Sequence, residues 1–362
     1  MGIKYSIAEK MDENSAANKI CDDMGELNPS LIVFFASSAY EIEKIGTGLK
    51  EKTNAKVIGC TTAGELASGF MLKESVVAMG FGEEKISNCS LNTIDMNNIN
   101  INEIIEKVKN DIGTEPKQLE TQKYLGLIFT DGTSGKEEEV MDTIGTEFLI
   151  PVVGGSAGDD LKFKETYVFD NESAKNNSAL LAVIEIPSGF EILKTQSFSD
   201  TGKKLVPTKV DEPNRKVIEF DYETALEGYA KAIGISKEEA KESFMTYPVG
   251  LMVGEEPFVR SPQRVEEDTM YFYCQIKEGV ELSLLKAEDI VESTGNVVKD
   301  LEGKAAGIIN FNCILRTLEL EKKGQTQQYA DLFSKIPTIG FSTYGEQYIG
   351  HINQTSTMVV FK

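Results

Sequence analysis

Histidine is almost missing from this chain: His351 is the single one in 362 residues. The usual His/Cys metal clusters therefore have no second imidazole to draw on. Cysteine is scarce as well. Cys21, Cys60, Cys89, Cys274 and Cys313 are odd in number and no two share Cys-x-x-Cys spacing. In a chain this large, neither a disulfide framework nor a zinc site is expected. Apolar runs are short, which excludes a membrane-spanning helix. The start, Met1-Gly2-Ile3-Lys4-Tyr5, lacks a secretory apolar region, so a cytoplasmic location is the expectation. Positive charge is in deficit: 37 Lys and Arg against 58 Asp and Glu give a net charge of −21. Nucleic-acid partners need clustered cations to neutralise phosphates, and anionic membrane surfaces attract them, so neither is expected. Nucleotide motifs are missing too. Asp131-Gly132-Thr133-Ser134-Gly135-Lys136 has the wrong glycine spacing for a phosphate loop, and Lys136 is followed by Glu137. No Gly-x-Gly-x-x-Gly fingerprint occurs.

What is present is an element that occurs three times. The copies are Val57-Ile58-Gly59-Cys60-Thr61-Thr62-Ala63-Gly64-Glu65, Val152-Val153-Gly154-Gly155-Ser156-Ala157-Gly158-Asp159, and Thr338-Ile339-Gly340-Phe341-Ser342-Thr343-Tyr344-Gly345-Glu346. Each is a short apolar run, then glycine, small hydroxyl residues, glycine and a carboxylate. Internal repeats of this kind indicate duplicated supersecondary units. Another apolar run precedes each copy: residues 31–36, 124–129 and 306–311. Between the two runs lie residues at helical spacing, such as Ile42, Ile45 and Leu49 in the first copy. A further apolar stretch follows, as at residues 75–81.

The unit therefore reads as strand, helix, strand, loop, strand. A strand–helix–strand crossover makes its strands parallel and right-handed, so both end at the same sheet edge. Ligands in α/β sheets favour the crevice beyond those carboxyl ends. The glycines suit either a ligand's close approach or plain chain reversal. The expected fold is α/β, with mixed sheets built from repeated strand–helix–strand–strand units in two domains. Residues 1–189 would carry two units and residues 190–362 the third. Within the latter, residues 189–198 read as a strand and 203–213 as a polar crossing. A helix is expected up to Ile233, stopped by Gly234, and a second one opened by Ser236.

These residues resemble the FIST family, the F-box and intracellular signal transduction proteins, in both its N- and C-terminal halves. The first and second loops carry the N-terminal likeness. Tyr247-Pro248 with Arg260, Phe311-Asn312-Cys313-Ile314-Leu315-Arg316, the third loop and His351-Ile352-Asn353-Gln354-Thr355 carry the C-terminal one. The likeness covers about residues 15–362. It implies a sensory module for a small ligand, amino acids among them, with haem-based nitric oxide sensors among its relatives. It also implies a separate signalling partner such as a histidine kinase or chemoreceptor. It implies no catalytic residues.

The third unit is the expected site. Its shared edge brings Asn312, Cys313 and Arg316 toward Thr343, Tyr344 and Glu346. Arginine suits bidentate capture of a carboxylate, which makes Arg260 and Arg316 candidates, with Glu346 or Glu65 as partner for an amine. Structural salt bridges are the alternative for both arginines. Cys60, Thr61 and Asn353 complete the candidate set. Two other readings stay open. His351 is the one imidazole available as an axial haem ligand, or a histidine bonded to backbone at a turn. Cys313 or Cys60 would serve a thiol-dependent hydrolase, Cys313 with His351 as its base, or be a small buried hydrophobe.

Overall fold

The computed structural model describes residues 2–362. They form two compact units: residues 2–195, 294–351 and 356–362 make the first, and residues 196–293 with 352–355 the second.

The first unit holds three six-stranded sheets of one plan. In the first sheet the order is Ile3–Glu9, Ser75–Gly82, Pro29–Ser37, Lys56–Thr62, then the short pair Val168–Phe169 and Ala174–Lys175. The second runs Asn88–Asp95, Ser178–Glu185, Tyr124–Thr130, Val152–Ser156, then Glu346–Tyr348 and His351–Ile352. The third runs Phe190–Gln196, Thr355–Phe361, Gly307–Cys313, Thr338–Thr343, then Glu65–Ala67 and Phe70–Leu72. The two central strands are parallel in every sheet, as the crossover requires. The last two strands always come from a different repeat. The arm after the first loop completes the third sheet, the arm after the second loop the first, and the arm after the third loop the second. The exchange is cyclic, so unit 1 has a pseudo-threefold plan.

The repeated glycine is explained by this pairing. Gly59 lies opposite Phe34, Gly154 opposite Ile128, and Gly340 opposite Asn310. A Cβ on these glycines would stand 2.3, 1.7 and 2.1 Å from the partner's carbonyl oxygen. The glycines therefore serve the close approach of one central strand to the other. None of the three has a positive φ.

Each sheet turns one phenylalanine of its first parallel strand inward. Phe35, Phe129 and Phe311 form a triangle with ring centroids 5.6, 6.3 and 6.3 Å apart. All three are fully buried in one cluster drawn from the three sheets, each burial stabilising by about 2–3 kcal/mol. Helices cover the outer faces. Glu13–Met24 is capped by Asp12, whose side chain accepts from Ser15 N, and buries Ala16, Ala17, Ile20 and Met24. With Ile42–Lys52 it covers the first sheet. Ile101–Ile112 and Glu137–Glu147 cover the second, and Ile314–Lys323 packs on the third.

The second unit is antiparallel throughout: a four-stranded sheet with Phe198–Leu205 at one edge, and a five-stranded one containing Lys216–Phe220. Ala225–Ile233 ends at Gly234 in the left-handed region, and Ser236 closes a reciprocal cap on Lys237–Lys241. The expected division at residue 190 changes meaning here. Phe190–Gln196 is the edge strand of the third repeat, equivalent to Ile3–Glu9 and Asn88–Asp95. The second unit is inserted between that strand and the helix Ile290–Val298. The third repeat belongs with the first two because Phe311 shares their core and the arm Glu65–Leu72 completes its sheet. The polar crossing at 203–213 is strand instead: Phe198–Leu205 buries only its two end residues, which hides the strand in the sequence. No helix among the described residues is long and apolar enough to cross a membrane.

Candidate functional site

The carboxyl edge of the third repeat is filled by its own side chains. Asn310, Asn312, Arg316 and Ser342 are all buried. Arg316 Nε donates to Asn312 Oδ1 at 3.0 Å and its Nη2 to Thr294 Oγ1 at 2.8 Å. Its guanidinium carbon stands 5.8 Å from the Tyr329 ring centroid. Asn312 Nδ2 donates to Thr317 Oγ1 at 3.0 Å, Tyr329 donates to Asn312 Oδ1 at 3.0 Å, and Ser356 donates to Asn310 Oδ1 at 2.8 Å. Buried polar groups require partners, and here neighbouring protein groups supply them. Arg260 and Asn353 fall in the second unit. Arg260 Nη1 donates to Val259 O at 3.3 Å, and Asn353 Oδ1 accepts from Cys274 Sγ at 2.8 Å.

The three loops likewise close on one another. Ala63 N donates to Ser342 O, Tyr344 N to Ser156 O, and Gly158 N to Thr61 O. Thr62 and Thr343, at equivalent places, each donate to the glutamate three residues on, Glu65 and Glu346. Glu65 also accepts from Ser75 N at 3.1 Å and Ser75 Oγ at 2.7 Å. Burial, against the pull of those hydroxyls, raises its pKa to about 7.

An open crevice occurs at the corresponding edge of the first repeat. It holds about 370 Å³ and lies where Ser38 follows one parallel strand and Thr61 is the last but one residue of the other. Thr61 is the one expected site residue that lines it; its Oγ1 accepts from Tyr167 N at 3.0 Å. The opposite wall is the segment after the second loop, with Asp159, Lys162, Lys164 and Glu165. Glu41 and Glu43 add carboxylates from the start of Ile42–Lys52. The crevice thus offers both signs of charge beside hydroxyls.

The wall segment is strained and tightly held. Asp160, Leu161 and Phe163 all take left-handed φ, 53°, 64° and 50°, a conformation that clusters at functional sites. The Asp159 carboxylate accepts from Phe163 N at 2.8 Å and Lys164 N at 2.6 Å. Asp160 accepts from Ser37 Oγ at 2.9 Å and Ser38 N at 3.0 Å, and Lys162 Nζ donates to Ser38 Oγ at 2.9 Å. Tyr344 bonds the segment through its hydroxyl and stacks on Phe163 at 4.7 Å. Burial would raise the Asp159 pKa, but the Tyr344 hydroxyl and the backbone N–H groups hold it below the ordinary value. Sequence reasoning placed the repeat's carboxylate at Asp159 but missed Lys162 and Lys164, which follow the loop and match nothing in the other copies.

The FIST N domain profile matches residues 30–223, and the FIST C domain profile matches residues 225–349. The chain belongs to the FIST family. FIST domains are associated with sensing in signal transduction. The boundary between the two FIST profiles falls at Thr224, inside the inserted unit. The chain is also similar to an uncharacterized protein of Methanocaldococcus jannaschii, 25% identical over 294 residues, which are 75% of this chain and 57% of that protein. The FIST chain thus spans little more than half the length of that relative.

In this FIST protein the surroundings of His351 do not fit a haem. The imidazole is buried, a Cβ on Gly345 would stand 2.1 Å from its Cε1, and Gln347 Nε2 lies 3.1 Å from its Nδ1. It lines none of the described crevices. Cys60 and Cys313 are buried too, and burial alone pushes the Cys60 thiol well above its ordinary pKa. A reactive thiolate needs the opposite setting.

Proposed function

We infer that this FIST protein is a sensory module that binds a small amphoteric metabolite, of amino-acid type, in the crevice of the first repeat. The observation that carries the reading is that Lys162 and Lys164 line one opening of about 370 Å³ together with Glu41, Glu43 and Glu165. Lysines at that wall suit a carboxylate, and glutamates suit an ammonium group. Position supports it as well: the crevice lies beyond the carboxyl ends of parallel strands.

A ligand drawn to Lys162 and Lys164 biases the strained segment, which Tyr344 ties to the loop of the third repeat. Binding at one repeat is thereby felt at another, and a separate signalling protein, such as a histidine kinase or chemoreceptor, reads the result. Thermal-shift titration with the protein amino acids and simple dicarboxylates tests this. A saturable rise in Tm with one of them, lost in Lys162→Ala/Lys164→Ala, is expected. A ligand bound equally well by that double variant would place the site elsewhere, and no shift with any of them would remove the amino-acid reading.

A further inference from the structure

A second opening lies on the other side of the first sheet's exchanged arm, and it shares no lining residue with the crevice above. Two adjoining hollows of about 430 and 520 Å³ have Thr93, Glu103, Ile104 and Lys175 in common and form one polar trough. It runs between the edge strand Asn88–Asp95, the helix Ile101–Ile112 and the arm around residues 170–177.

Asn92 lines this trough and is 1% exposed. Its Nδ2 donates to Ser90 O and Leu181 O, at 3.3 and 3.2 Å. Its Oδ1 bonds to nothing among the described residues. A buried amide oxygen left without a donor costs about 1–3 kcal/mol, so the place calls for an N–H or O–H group. Asn92 occupies the inward alternation of its strand, as Ser90 and Ile94 do, beneath the helix. An apolar residue would serve there if packing were the sole demand.

The charges around it narrow the chemistry. Each lysine of the trough already has a partner: Lys56 donates to Cys89 O, Lys107 pairs with Asp111 at 3.4 Å, and Lys175 pairs with Asp170. The acidic side chains outnumber them, with Asp95, Glu103 and Glu172 left over along the walls. An anion is thereby disfavoured. No three of these carboxylates draw together closely enough to share one metal ion. Spaced carboxylates plus a buried carbonyl oxygen, along an elongated hollow, match a cation whose charges are themselves spaced. We propose that the trough binds a linear aliphatic polyamine, one ammonium donating to Asn92 Oδ1 and the others pairing with Glu103 and Glu172.

Calorimetric titration of the intact protein with spermidine, at about 0.15 M salt to screen diffuse attraction, is the test. One saturable site is expected, weakened about fivefold by Glu103→Gln and again by Glu172→Gln, and most of all by Asn92→Leu. The two glutamate variants lie at the surface and keep the test decisive if Asn92→Leu fails to fold. Glu238→Gln/Glu242→Gln, which removes the same charge elsewhere, and Lys162→Ala are expected to leave spermidine binding unchanged. No saturable heat would overturn the proposal. So would equal weakening by the remote pair, or equally tight binding of Mg²⁺, since either means general attraction to an acidic surface. Binding untouched by all three trough variants would also overturn it and leave Asn92 Oδ1 to a buried water.

Discussion

The Tyr344 hydroxyl donates to the Asp159 carboxylate at 2.5 Å while accepting from Leu161 N at 2.8 Å. One side chain of the third repeat's loop thus fixes the segment that walls the first repeat's crevice. Removing that hydroxyl leaves the ring stacked on Phe163 but frees the carboxylate and the N–H. Tyr344→Phe is expected to lower stability by about 1–2 kcal/mol and to weaken binding of the crevice ligand about tenfold. Equilibrium denaturation and titration check the two effects separately. Unchanged affinity at lowered stability would show that the segment's position does not govern the site.

Glu65 gives the protein a distinctive pH profile. Its folded pKa of about 7 lies above the ordinary value of 4.5, chiefly through burial, with the nearby Asp160 charge adding to it. A carboxyl whose pKa rises on folding favours the fold when protonated. Its contribution is complete below pH 4.5 and is lost as pH rises through about 7. The shift corresponds to about 3 kcal/mol. Asp159 and Asp170 act in the other direction, because their folded pKa values are depressed, but they matter only in acid below the ordinary carboxylate range. Denaturant melts between pH 5 and 8 are expected to show declining stability in the wild type and a flatter line in Glu65→Gln. Parallel lines would mean that Glu65 stays ionised in the fold.

Much of this architecture is legible in the chain. The three loops, the parallel strand pairs and the helices between them follow from apolar period and glycine placement, because each is a local pattern. The strand exchange is not local. Leu66 and Phe70 reach the third sheet, over 200 residues away in sequence, through backbone pairing that leaves no side-chain signature. The open crevice lies away from the expected edge for a related reason. Asn312 and Ser342 look like ligand groups because they are polar residues near strand ends, yet Thr317 and Tyr329 from the covering helices meet them, and Arg316 in the first of those helices donates to Asn312 and Thr294. At the first repeat the position matching Asn312 is Ala36, which brings no polar group, and the one matching Ser342 is Thr61, whose Oγ1 accepts from Tyr167 N, and the space beyond stays open.

The phenylalanine triangle is where the three repeats depend on each other. Phe35→Ala, Phe129→Ala and Phe311→Ala are each expected to cost about 3–5 kcal/mol. Because the rings are in mutual contact, the double variants should lose less than the sum of the singles, by about 1 kcal/mol or more. Chemical denaturation of the singles and doubles measures the coupling. Strict additivity would mean that the three sheets are stabilised independently.

Gly345 and His351 supply the sharpest steric test. The glycine's bare Cα faces the imidazole, and an added Cβ would lie 2.1 Å from Cε1 and 2.7 Å from Nε2. The φ of Gly345 is not positive, so alanine suits the backbone there and the ring is the whole obstacle. The ring has little room to retreat, since it is buried and Gln347 holds its Nδ1. Gly345→Ala is expected to cost about 2–3 kcal/mol. His351→Ala alone leaves a hole and loses the Gln347 contact, so it also destabilises. Combined, the two changes should recover part of the loss, because the new methyl enters the vacated space. Denaturation of all four proteins of this cycle gives the coupling energy. A double variant no better than the sum of its parts would show that the glycine answers to its backbone and not to the histidine.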